Sequence, residues 1–129
     1  MKLKPFHILL ADDDESIRIV VRRILAQFGH SVETVTNGKE GIEAYMRDPQ
    51  AFDMIITDHS MPDVTGLQLV QYVRANGFEG KIIVISGSLT RELEKAYLAR
   101  SVDKILQKPF TMARLQESLD EIFSEWKNE

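Results

Sequence analysis

The chain has 129 residues, 43% of them hydrophobic and 28% charged, the size and balance of one globular domain with a single core. Its net charge of -4 argues against a basic face able to grip nucleic acid directly, and the absence of cysteine excludes disulfides and thiolate metal sites. No apolar run approaches the roughly 20 residues of a membrane span, so a cytoplasmic protein without membrane insertion is expected.

The first apolar burst, FHILLA (6–11), reads as a buried strand that runs straight into Asp12, Asp13 and Asp14. Carboxylates crowded this way disfavour one another's ionisation, so the strand tip calls for a cation. Ile17, Val20, Val21, Ile24, Leu25 and Phe28 then recur at three- and four-residue spacing, predicting a helix that stops at Gly29. SVETVT (31–36) alternates, as an edge strand does. Asn37 with Glu40 three residues on predicts a capped helix that ends at the Asp48–Pro49 break. FDMIIT (52–57) is a third strand, with Asp58 at its tip. Thr65 and Gln68 repeat the capping signature ahead of Leu67, Val70 and Val73.

KIIVIS (81–86) is the fourth strand, ending in Ser86 and followed by Gly87. Thr90 caps a helix carrying Leu93, Ala96 and Tyr97. KILQ (104–107) is a short fifth strand that leads into Lys108 and Pro109. The last helix sets Met112, Leu115, Leu119, Ile122, Phe123 and Trp126 on one stripe before the charged KNE end.

Five alternations of strand and helix with short connections predict an α/β fold: a doubly wound, five-stranded parallel sheet with right-handed crossovers and helices on both faces. No linker, repeat or composition shift divides it, so residues 1–129 are expected to form a single domain. Such sheets bind ligands beyond the carboxyl ends of their strands, where strand order reverses. That edge collects Asp12, Asp13, Asp58, Ser86 and Lys108. Each alone has a plainer reading, as a turn residue, a helix cap or a hydroxyl satisfying the backbone. Their coincidence at one edge is the signal. Three carboxylates against one ammonium leave two negative charges, which a divalent ion would offset. Oxygen-only ligands suit a hard cation such as Mg²⁺.

At this point the chain resembles the receiver domain of two-component response regulators, the chemotaxis-type, flavodoxin-like fold with strand order 2-1-3-4-5 and five helices. The resemblance rests on LLADDDESIR, DMIITDHSMPDVTGLQLV, IIVISGS and ILQKPF, in that order, and spans essentially the whole chain. It implies that Asp58 accepts a phosphoryl group. It assigns Mg²⁺ to Asp12 through water, to Asp13 directly, to Asp58 and to the backbone carbonyl of Ser60. Ser86 takes the place of the hydroxyl that turns toward the phosphoryl group, and Lys108 pairs with a phosphoryl oxygen ahead of a cis Pro109. Pro62 and Gly66 match the loop and turn after the acceptor.

The implied partners are a histidine kinase or histidine phosphotransfer protein and an unidentified downstream protein. Helix one and the loop after strand five, with Ile17 and Pro109, form the implied docking face. The implied output is a shift of the face made by helix four, strand five and helix five. The chain would catalyse its own Mg²⁺-dependent phosphorylation and dephosphorylation without being a conventional enzyme.

Three departures stand out against the resemblance. Ile105 occupies the position, three before the lysine, where receivers carry an aromatic switch residue; Gly87 replaces an alanine; LARSVDKILQ lacks the glycine-containing turn before strand five. His59, Ser60 and Ser88 flank the pocket without offering an acid or amide to orient water, so slow self-dephosphorylation is expected. His59 itself reads as a solvent-facing loop residue without a partner. Two other functions compete: a Mg²⁺-dependent phosphatase acting on small molecules, and a receiver-like interaction module that is never phosphorylated. The first would place its nucleophile on strand one beneath a cap; the second usually lacks the acidic pair or the lysine.

Overall fold

The computed structural model describes residues 5–127. Five strands, β1 (His7–Ala11), β2 (Ser31–Val35), β3 (Met54–Asp58), β4 (Lys81–Ser86) and β5 (Lys104–Gln107), alternate with five helices. The helices are α1 (Glu15–Gln27), α2 (Gly38–Arg47), α3 (Gly66–Ala75), α4 (Arg91–Leu98) and α5 (Met112–Lys127). All pairings are parallel and the order is β2-β1-β3-β4-β5, so β2 is an edge strand, as its alternation predicts.

Successive strand side chains point to opposite faces, and that divides the core in two. Ile8, Leu10, Met54, Ile56, Ile83 and Ile85 pack with Val21, Ile24 and Leu25 of α1 and Leu115, Leu119 and Ile122 of α5. Leu9, Ala11, Ile55, Ile82 and Val84 pack with Ala44 and Tyr45 of α2, Leu69, Val70 and Val73 of α3, and Tyr97 of α4. Strands buried on both faces can be continuously apolar, which is why their sequences barely alternate.

The helix starts are set locally. Asp14 caps α1 by accepting from the Ser16 N–H, and Thr65 with Gln68 forms a reciprocal capping box on α3. Asn37 caps α2 through the Glu40 N–H, but the Glu40 carboxylate turns to the Thr36 N–H and hydroxyl instead of the Asn37 N–H. Half of the predicted box is thus replaced by a tie to the end of β2. Gly29 stops α1 with a left-handed φ of 88°.

Met112, the first residue of α5, departs from the predicted stripe: it is 47% exposed. The Trp126 side chain, expected on the same stripe, and Asn128 and Glu129 lie outside the described residues. The turn before β5, which lacks a glycine, is made by Ser101 at φ 58°. Arg74 holds that turn by donating to the carbonyls of Arg100 and Ser101, at 2.9 and 2.8 Å.

Candidate functional site

The order β2-β1-β3 means that the chain leaves β1 to one side and β3 to the other, opening a crevice between their carboxyl ends. Asp12 lies one residue beyond β1 and Asp58 is the last residue of β3. Carboxylate oxygens of Asp12, Asp13 and Asp58 lie within 4.8 Å of one another. The expected convergence is therefore present, with Asp12 and Asp58 buried and Asp13 exposed at the rim.

Lys108 reaches in from the end of β5. Its Nζ stands 3.4 Å from Asp58 Oδ1 and 3.9 Å from Asp12 Oδ2. Its backbone N–H donates to the Ser86 carbonyl at 2.8 Å, fixing the β5 tip against the β4 tip, and the Lys108–Pro109 bond is cis. Ser86 is fully buried and its hydroxyl accepts from the Ser88 N–H at 3.3 Å.

Asp12 Oδ1 accepts the Asp14 N–H at 2.8 Å, but Oδ2 is buried with no hydrogen-bond donor. Burial pushes the Asp12 carboxyl up to about 6, and the Asp58 charge adds to this; the Asp14 N–H and Lys108 act in the opposite direction. Burial likewise raises Asp58, against the attraction of Lys108. An orphaned carboxylate oxygen beside two other acids is a donor set short of a cation. The all-oxygen ligands fit a hard divalent ion and offer nothing to a soft one.

The acceptor loop is held tightly. A methyl group on Gly66 would sit 2.3 Å from the Asp58 carbonyl oxygen, so only glycine lets the start of α3 approach this closely. Gly87 is different: a Cβ there would meet nothing nearer than 4.0 Å, so the glycine adds freedom that space does not demand. Ser60 and Pro62 are exposed on the loop between. Ile105 is half-buried against the α2–α3–α4 face of the core. Ile17 and Pro109 line one apolar groove together with Val20, Phe110 and Met112, which accounts for the exposure of Met112.

His59 is not the free loop residue that its sequence context suggests. It is half-buried, and the fully buried Tyr97 hydroxyl lies 2.5 Å from its Nδ1. Burial and the nearby Asp58 charge push the phenol pKa up, while burial lowers that of the imidazole. With the neutral ring carrying its proton on Nε2, the neutral phenol donates to Nδ1, and no buried hydroxyl proton is left unsatisfied. Nothing local in the sequence announces a contact between residues 59 and 97.

Residues 8–120 match the response regulator receiver domain family. The chain is 37% identical over 108 residues to the DNA-binding transcriptional regulator NtrC of Azospirillum brasilense, covering 84% of this chain and 22% of that one. It is 32% identical over 111 residues to the response regulator MprA of Mycolicibacterium vanbaalenii, covering 86% and 47%. Among solved structures, a CheY-like receiver domain protein from Methanospirillum hungatei superposes with a TM-score of 0.86 at 26% identity, covering 97% and 98%. The fold and the sequence define a receiver class of α/β domain. The chain belongs to the response regulator receiver domain family of two-component systems. It spans less than half the length of either curated relative. No helix among the described residues is long and apolar enough to cross a membrane.

Proposed function

We propose that residues 1–129 act as one cytoplasmic receiver unit whose Asp58 accepts a phosphoryl group from a histidine kinase or histidine phosphotransfer protein. The observation that carries this reading is the triangle of buried Asp58 and Asp12 with half-buried Lys108, in which Asp12 Oδ2 lacks a hydrogen-bond donor. Asp12, Asp13, Asp58 and the Ser60 carbonyl would hold Mg²⁺, which when bound supplies positive charge for the phosphoryl oxygens.

The protein's own residues do the remainder. Ionised Asp58 attacks phosphorus in line, an Oδ–P bond forms, and the donor's P–N bond breaks with its electron pair going to the ring nitrogen, the imidazole leaving neutral because its other nitrogen already carries a proton. The transition state spreads charge over the equatorial oxygens, so catalysis is positioning plus electrostatics. Lys108 is placed to neutralise one of those oxygens, and the Ser86 hydroxyl can leave Ser88 to donate to another. The apolar groove at Ile17 and Pro109 offers the phosphodonor a docking surface beside this pocket. Downstream, the added charge shifts the α4–β5–α5 face toward a protein partner.

The test is incubation with acetyl phosphate and Mg²⁺, followed by intact-mass measurement. One phosphoryl group should be gained by the wild type and none by Asp58→Asn or in the presence of a chelator. No gain with any donor would favour an interaction module that works unphosphorylated.

A further inference from the structure

We infer that the hydrogen bond between His59 and Tyr97 couples α4 to the phosphoacceptor, with Tyr97 acting as a positioning residue for that helix. The inference rests on phosphorylation of Asp58 as proposed above and goes beyond it by assigning the internal connection. Among the described residues of α4, Tyr97 is the buried side chain. Leu93 adds a half-buried contact with the same core cluster and the remaining face is exposed or half-buried, so Tyr97 is the one fully buried anchor of this eight-residue helix.

The hydroxyl at the end of that ring meets His59 Nδ1 at 2.5 Å, with the two rings edge-on at 84°. His59 follows the acceptor directly, and its backbone N–H donates to the Ile85 carbonyl at 2.8 Å. Ile85 in turn precedes Ser86. Two movements therefore converge on the imidazole: any displacement of Asp58 passes through the chain, and any turn of Ser86 passes through the Ile85–Ser86 peptide. Because interiors are close-packed, a buried phenol cannot follow such a shift gradually; it keeps its partner or loses it. A buried hydroxyl that loses its partner is costly, which favours release of α4 from the core.

This link also gives a role to an aliphatic residue at position 105. Ile105 packs in the same core cluster as Tyr97, on the α2–α3–α4 face of the sheet. The aromatic volume on that side of the pocket comes from α4, and its polar end already points at the acceptor loop.

Hydrogen–deuterium exchange of residues 91–98, with and without acetyl phosphate and Mg²⁺, tests the link while intact mass records phosphoryl content in the same samples. In the wild type, phosphorylation should speed α4 exchange about fivefold, the worth of one net hydrogen bond. Tyr97→Phe keeps the ring and removes only the hydroxyl. Its α4 should exchange at the faster rate before phosphorylation and gain less than about twofold after it. His59→Leu, which removes the acceptor from the other side, should behave alike, and the double variant should add nothing further. A merely structural anchor would raise the baseline in both variants but preserve the response to phosphorylation. Full incorporation with that response intact in both variants, or with no acceleration in the wild type, overturns the coupling alone. Absence of phosphoryl on wild-type Asp58 removes the phosphorylation reading and the coupling with it.

Discussion

At the amino ends of the strands, Asp53 accepts the His7 N–H at 2.8 Å and Asp103 accepts the Ile82 N–H at 2.9 Å, so each acid closes a backbone donor on a neighbouring strand. Arg74 does the same for acceptors, donating to the carbonyls of Phe78, Gly80, Arg100 and Ser101. At the carboxyl ends, Asp12 and Asp58 face each other under one lysine, and a buried carboxylate oxygen goes without a donor. Charge at one end is consumed by the backbone; at the other it is held in reserve for something that arrives. The difference is one of satisfaction, because both ends bring acids and a cation together.

Removing the cation at the satisfied end should produce the largest effect on stability. Arg74→Ala strands four carbonyls and should cost about 3 kcal/mol, read as a lower urea midpoint, while leaving phosphoryl incorporation unchanged. Removing an acid at the unsatisfied end should do the reverse. Asp12 has a folded pKa of about 6 against an ordinary 3.8, so its stabilising contribution is full below 3.8 and lost as pH rises through 6. At pH 7.5 without metal, Asp12→Asn should therefore gain on the order of 2 kcal/mol and yet incorporate no phosphoryl group. Added Mg²⁺ should raise the melting temperature of the wild type and not of this variant.

The amino end has its own exception. His30 accepts the Phe6 N–H through Nδ1 at 3.0 Å, and its buried Nε2 has no partner among the aromatic rings of Phe6, Phe28 and Phe123. Burial lowers its pKa below the ordinary 6.5, so the unfolded chain takes up the proton first and stability falls as pH drops through that value. Asn at this position keeps an acceptor without a titrating ring. Wild type should lose stability relative to His30→Asn between pH 7 and about 5.5, measured by denaturant titration across that range.

The smallest effect belongs to the turn before β5. Ser101 holds φ 58°, a conformation that glycine adopts without strain. Ser101→Gly should gain about 0.5 kcal/mol, the relief of strain less the entropy of a freer unfolded chain.

Much of this was legible because it is local or periodic. The strands announce themselves as apolar bursts, and the carboxyl-edge rule brings Asp12, Asp58, Ser86 and Lys108 together once the alternation is read. The parts that escaped are contacts between distant segments. Tyr97 looks like one more apolar position on an amphipathic helix, and His59 like a polar loop residue; only the packed fold makes them partners across 38 positions. Arg74 likewise reads as a surface charge on α3, because its carbonyl partners are set by tertiary approach. Ser101 was hidden for a different reason: left-handed backbone is signalled by glycine, and here a serine takes it under the restraint of Arg74.

The most direct measurement is chemical trapping of the acyl phosphate. After treatment with acetyl phosphate and Mg²⁺, borohydride reduction converts a phosphorylated aspartate to homoserine, which peptide mass mapping locates. Homoserine at position 58 alone is the expected result. Homoserine at position 12 or 13, or a phosphoryl group recovered on His59 or a hydroxyl side chain, would contradict the assignment of the acceptor.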